Sequence, residues 1–381
     1  MTAPLLPRYG TASLAEVLPS VLAALGVPGP APLPLPAVRA ACVLLVDGLG
    51  AELLRTHAAD APFLSSMSDA GPLTVGFPST TPISLASLGT GLPPGGHGLV
   101  GLSFDPGDHD LLDVLRWTRA RDGKHVDQRD AHVPEVVQPS DTALQRAAAD
   151  GVAVTAVAPA FQRESGLTRA ALRGGTFRGV LALGDLAAEI DAALTGPGRR
   201  LCYGYHSDLD TLGHVHGPGT LAWRLQLRQI DLLVSTIAAT LPPDALLVVT
   251  GDHGMITVDR APDFDADEDL QAGVALLGGD ARARHVYTEP GAAADVLATW
   301  TDTLGDDAWV VTRDEAVAAG WFGPLGPHVA GRIGDVVAAM RGGTALVRRQ
   351  AEPKLAKLVG QHGSLTSAEQ LVPLLVAGPQ G

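Results

Sequence analysis

Residues 43–50 read VLLVDGLG: consecutive apolar side chains, a carboxylate at Asp47, then Gly48 and Gly50 close behind. An unbroken apolar run suits a strand covered on both faces, as in a parallel sheet packed between helices. The Asp-Gly step suits a sharp turn at the strand's end. Asp47 therefore stands at the tip of a buried strand, and open α/β sheets gather their ligands beyond such tips. Turn-making or helix capping is the other common use of an Asp before Gly, and this segment alone leaves both uses open.

The same pattern recurs on either side. Apolar runs at 41–46, 152–157, 200–205, 246–250 and 372–376 alternate with helical patterns at 83–88, 141–149, 185–194 and 221–241. The alternation predicts an α/β fold, a mostly parallel central sheet flanked by helices. Residues 28–38, PGPAPLPLPAV, are too rich in proline for helix or central strand, so 1–40 read as an N-terminal arm. Between 257 and 349 the pattern shifts to shorter mixed strands and helices, which predicts a smaller inserted α+β cap and leaves 41–256 with 350–381 as the core. Within the cap, Arg282, Arg284, His285 and His328 read as solvated surface.

Of 381 residues, 46% are hydrophobic and 18% charged, on the globular side of the average and far from the composition of disorder. A formal charge of −14 excludes long nucleic acid as a partner, because phosphate backbones are bound by dense Lys and Arg. A small phosphorylated molecule stays compatible, since bound divalent cations reverse the potential inside a cleft. Cys42 and Cys202 each lie in an apolar run, which argues against a disulfide framework and for a reducing compartment. The first residues lack a basic region ahead of an apolar stretch, and no segment reaches the ~20 apolar residues that span a bilayer. A cytoplasmic location and no membrane partner are expected; the sequence carries no signal for oligomeric state.

Polar residues that end the apolar runs carry the chemistry. LLVVTGDHG (246–254) ends in Asp252 and His253, an oxygen and an imidazole ligand at one strand tip. YGYHSDLDTLGHVHGPG (203–219) follows another run and holds His206, Asp208, Asp210, His214 and His216. Asp210 and His214 are spaced to share one side of a helical turn, and Gly213 permits close backbone approach. His206, Asp208 and His216 read either as partners that orient ligands or as solvated loop residues. LVGQHGSLTSAEQLVPLLV (358–376) sets His362 beside a glycine, ahead of a helix cap at Ser364 or Thr366 with Glu369 available to complete it. FPSTTPISLASLGTGLPPGGHGLVG (77–101) is a hydroxyl-rich turn feeding a short helix. Its threonines suit N-capping, and equally suit a nucleophile placed where helix N–H groups face a phosphate.

In this order the segments resemble the alkaline phosphatase superfamily, most closely its type I phosphodiesterase and nucleotide pyrophosphatase branch. The resemblance rests on the strand-ending Asp47, on Thr81 within FPSTTPISLASLGTGLPPGGHG, on DTLGHVHGP (210–218), on DHGM (252–255) and on His362-Gly363. It covers the core and leaves the cap unmatched. It implies a hydrolase of phosphodiester or pyrophosphate bonds in a small, nucleotide-like phosphate ester, with a phosphomonoesterase or phosphonate hydrolase as the alternative. It also implies two divalent metal ions, one held by Asp210, His214 and His362 and the other by Asp47, Asp252 and His253, with Thr81 as a further ligand and the nucleophile. Zinc is favoured by mixed carboxylate and imidazole ligation, with manganese or iron also compatible. Ser84 stands where the branch has an asparagine that holds the phosphoryl oxygen, and is the candidate substrate contact. A monoesterase would meet the extra charge with a third metal or an arginine, for which Arg163 and Arg169 are the candidates.

Overall fold

The computed structural model describes residues 3–121 and 124–378. At its centre β1 (Ala40–Val46) is buried along its whole length. With it run β2 (Ala153–Pro159), β3 (Thr176–Val180), β4 (Arg200–His206) and β5 (Ala245–Thr250). The spatial order is β5-β1-β4-β2-β3, all parallel, extended beyond β5 by two short antiparallel edge strands, Leu375–Ala377 and Ser68–Asp69.

Strand periodicity splits β1 between two cores. Ala41, Val43 and Leu45 join one apolar cluster, with Leu14, Val17, Leu18 and Val21 around α1 (Val17–Ala24) and Ile83, Ala86 and Leu88 of α2 (Thr81–Thr90). Cys42, Leu44 and Val46 join the other, with Ile190 of α3 (Leu183–Leu194), Leu209 of α4 (Asp208–His216) and Trp223, Leu227 and Ile230 of α5 (Leu221–Thr240). Cys42 and Cys202 are free, buried and opposite one another in the β1–β4 register.

Three expectations need correction. The arm expected over 1–40 is in part core, because Pro19 falls in the first turn of α1, where no backbone N–H is required, and so does not break the helix. The single strand expected at 372–376 is interrupted at Pro373: Leu371–Val372 pairs with Leu73–Thr74, and Leu375–Ala377 pairs with β5. In the inserted segment, Arg282, Arg284 and His285 are buried rather than solvated, while His328 is exposed. Each buried group is compensated: Arg282 by Glu369, Arg284 by Glu352 and the Leu346 carbonyl, and His285 through Nε2–H to the Val100 carbonyl.

The inserted segment builds an antiparallel sheet of β6 (Val274–Gly279), β7 (Ala283–Thr288), β8 (Ala308–Thr312) and β9 (Val336–Met340), in the order β6-β7-β9-β8. α6 (Ala293–Leu304) covers one face through Val296 and Trp300. From the other face Ala283, Val337 and Ala339 join the main core. Among the described residues no helix is long and apolar enough to cross a membrane.

Candidate metal centre

Three adjacent strand tips meet here. The Asp47 N–H donates to the His206 carbonyl at 2.9 Å, carrying the β1–β4 ladder one residue past the strand. Gly48 turns with φ +75°, and a Cβ there would stand 2.9 Å from Asp210 Cα, so the glycine lets α4 lie against the tip of β1. The Gly48 N–H donates to Asp252 Oδ1 at 3.0 Å, tying the tip of β1 to that of β5. β4 runs into α4, whose Asp210 Oδ2 and His214 Nε2 are 3.4 Å apart across one turn. At Gly213 a Cβ would meet Met255 Sδ at 2.5 Å, so this glycine seats α4 on the segment after His253. His362 arrives from far along the chain, directly after the strand Gly360–Gln361 that pairs with Ile256–Thr257. Thr81 opens α2 with its hydroxyl oxygen 3.2 Å from His253 Nε2.

The imidazole tautomers follow from their partners. His214 Nδ1 is 2.7 Å from the Gly360 carbonyl, His362 Nδ1 2.9 Å from that of Ser79, and His253 Nδ1 3.0 Å from that of Gly254. A carbonyl only accepts, so each Nδ1 carries the hydrogen and each Nε2 offers a lone pair. The Nε2 atoms of His214 and His362 are 3.2 Å apart. Two facing lone pairs repel, whereas a tetrahedral ion about 2.0–2.1 Å from each nitrogen holds such a pair at roughly this separation.

The carboxylates present the complementary problem. Asp47 Oδ1, Asp210 Oδ1 and Asp252 Oδ2 are buried without a hydrogen-bond partner. Burial pushes the Asp47 carboxyl well up, and the charges of Asp252 and Asp210 push it further; burial also raises Asp210. His362 is held well below the usual histidine range by burial, then by His253 and His214. Clustered buried anions beside neutral imidazoles are costly alone and are compensated by cations. Ligand atoms of Asp210, His214 and His362 lie within 4.8 Å of one another, as do those of Asp47, Asp210 and His253. Asp210 thus stands between the two groups, and Asp252 adjoins the second through Oδ2, 3.4 Å from His253 Nε2. The donor set fits borderline-soft divalent metals.

Other sequence candidates lie outside this centre. Asp208 and His216 are exposed, and His206 Nε2 pairs with Gln226 at 3.2 Å. Ser84 is fully buried and its hydroxyl donates to the Asp252 carbonyl at 2.5 Å, which anchors α2 to the β5 tip and commits its proton there. Arg163 donates to the Phe177 carbonyl and Arg169 pairs with Glu135, so both are held elsewhere. Tyr205 was not anticipated: its buried hydroxyl donates to Asp47 Oδ2, leaving Oδ1 turned to the centre. Its only signal in sequence is its place on the strand that leads to Asp210, two residues from Tyr203 on the same face.

Residues 41–365 match the family described as type I phosphodiesterase / nucleotide pyrophosphatase. The chain belongs to that family. It is accordingly an enzyme, a metal-dependent hydrolase of the phosphodiesterase and nucleotide pyrophosphatase class. Its fold is shared with murine ectonucleotide pyrophosphatase / phosphodiesterase 5, at TM-score 0.68 and 16% identity over 89% of this chain and 88% of that one. An inactive threonine-to-alanine variant of the murine protein, in complex with AMP, superposes at 0.67 with 16% identity and the same 89% and 88% coverage. The human protein superposes at 0.65 with 17% identity, again over 89% and 88%. Over 69 residues, 18% of this chain, the sequence is 38% identical to the human GPI ethanolamine phosphate transferase 3 catalytic subunit, and the match spans 6% of that relative's length.

Proposed function

We propose that the chain hydrolyses phosphodiester or pyrophosphate bonds of a small, nucleotide-like substrate, with Thr81 as nucleophile and two divalent ions, zinc by preference, at the strand tips. Asp210, His214 and His362 would hold one ion and Asp47, Asp252 and His253 the other, with Asp210 between them. The observation that carries the reading is the clustering of orphaned carboxylate oxygens with the Nε2 atoms of His214, His253 and His362, with the Thr81 hydroxyl 3.2 Å from that of His253. When bound, the ions would lower the proton affinity of that hydroxyl and offset charge on the phosphoryl oxygens.

Thr81 Oγ forms the new bond to phosphorus as the bond to the leaving alcohol or phosphate breaks. The product is a phosphothreonine, which water then hydrolyses to free phosphate ester and threonine. The N-terminus of α2 presents its positive dipole end to the phosphoryl group. Thr81 is favoured over Thr80 because its hydroxyl reaches His253, whereas Thr80 stands at the N-cap position with an extended backbone and 2% exposure. The diester reading is favoured over a monoester one because Arg163 and Arg169 are engaged elsewhere. The AMP complex of the murine neighbour supports a nucleotide-like substrate.

The test is turnover of an activated phosphodiester and a dinucleoside pyrophosphate by chelated and zinc-restored protein, with acid quenching and mass analysis of the Thr81 peptide. A phosphorylated Thr81 that appears only in the presence of metal supports the mechanism. Full turnover by Thr81→Ala overturns it.

A further inference from the structure

Glu369 touches the supports of two of the site's histidines at once. Its carboxylate is wholly buried and takes the Arg282 guanidinium on two prongs, Nε to Oε1 at 3.0 Å and Nη2 to Oε2 at 2.6 Å. The same carboxylate accepts the backbone N–H of Ser364, close after His362, at 2.9 Å, and the hydroxyl of Thr366. Its backbone carbonyl accepts the N–H of Gly254, the residue after His253, at 2.9 Å. The rings of His253 and His362 are themselves stacked, with centroids 3.4 Å apart. Arg282 belongs to the inserted segment, directly before β7, and donates to the Thr344 carbonyl as well. Asp280 closes the arrangement from the same turn, packed so tightly on Gly363 that a Cβ there would stand 2.4 Å from its Oδ1.

In the sequence Thr366 and Glu369 looked like an ordinary helix cap, and a cap would need no buried arginine. A fully buried ion pair is no cheap route to stability, since desolvating both charges offsets most of their attraction. What the two-pronged bond supplies is a fixed direction and distance. Here it fixes the inserted sheet against the loop that carries His362 and, through Gly254, against the loop that carries His253.

We propose that Arg282 and Glu369 form a positioning clamp: they set the spacing of His253 and His362, and so the affinity with which both cation sites fill, coupling the inserted sheet to the metal centre. This rests on the two-ion reading above. Neither residue touches the ions or the substrate; both act through the backbone that bears the ligands, as outer partners of metal ligands do.

The experiment is a zinc competition titration on the full chain, stripped and reloaded, for the parent, for Glu369→Gln, for Arg282→Lys, and for the apolar pair Arg282→Met with Glu369→Leu. Circular dichroism and thermal melts of the metal-free proteins run alongside. The expected result is folded protein whose zinc affinity falls by ~10–100-fold at both sites. In the apolar pair the metal-free melting temperature returns toward the parent's while zinc affinity does not, which separates positioning from stability. If a single variant fails to fold, the apolar pair decides. Parental zinc affinity in any folded variant overturns the clamp. A parent chain that takes up no zinc, manganese or iron instead overturns the two-ion reading, and the clamp with it.

Discussion

The Nε2 atoms of His214 and His362 face each other at 3.2 Å while each ring's Nδ1 hydrogen is committed to a backbone carbonyl. Neither nitrogen can donate to the other, and a cation between them would offset the repulsion of their lone pairs. His214→Ala or His362→Ala is expected to weaken the first metal site by more than the ~10–100-fold typical of losing an outer partner. Metal analysis after dialysis against a buffered zinc pool checks it, and unchanged occupancy would refute the assignment.

Thr81→Ala is expected to lower kcat on a phosphodiester on the order of 10³-fold or more, because it removes the hydroxyl beside His253 while that of Ser84 is committed to the Asp252 carbonyl. Thr80→Ala should stay close to the parent in kcat. Steady-state kinetics on the two variants side by side decide between neighbouring threonines, and the reverse ranking would move the nucleophile to Thr80.

Tyr205→Phe removes the hydroxyl that donates to Asp47 Oδ2 and frees that carboxylate to rotate. Zinc affinity of the second site is expected to drop about tenfold, with little change in the melting temperature of the metal-free chain. Equal affinities in parent and variant would show that Asp47 is oriented without it.

Acid should weaken the fold through two histidines outside the site. Burial pushes His285 down to about 4 and His97 down to about 3, and each ring accepts a backbone N–H at Nδ1, from Gly334 and Leu99 in turn, as only a neutral imidazole can. Below the ordinary histidine value of about 6.5 the unfolded chain binds protons that the native state refuses, so stability falls as pH drops from there toward 4 and below. Asp280, raised by burial to about 7, slopes the other way: its contribution falls as pH rises from the ordinary carboxyl range toward 7. Urea melts of His285→Gln should therefore show a shallower acid slope than the parent between about pH 6 and 4. Parallel slopes would count against a neutral buried His285.

Gly213→Ala sets a Cβ 2.5 Å from Met255 Sδ and forces α4 away from the β5 tip. A loss of about 1–3 kcal/mol is expected in urea unfolding, together with weaker metal binding at the first site. A variant as stable as its parent would mean that the methionine swings aside.

The central strands were readable because continuous apolar runs admit few alternatives, and part of the candidate ligand cluster was readable because its members end such runs. Asp47, Asp252 and His253 sit at strand tips, and the Asp210–His214 spacing matches the turn of α4 that carries them. The supporting shell was not legible. Tyr205 looks like any strand aromatic, and Glu369 fits a capping pattern that calls for no distant partner. Its partner, Arg282, lies far away in sequence within a segment that looked solvated, and only tertiary packing brings the two together. α1 is hard to see in sequence because it carries Pro19, a residue that breaks a helix interior and is tolerated only in a first turn.

The dispersal of the ligands also has a bearing on biosynthesis. A nascent chain released from the ribosome through residue 350 already carries Asp47, Thr81, Asp210, His214, Asp252 and His253, yet lacks His362 and the Glu369 loop that accepts from Ser364 and Gly254. Such a fragment holds only part of the proposed ligand set, so on the two-ion reading hydrolytic activity is expected only from chains extended past the helix Ser367–Gln370.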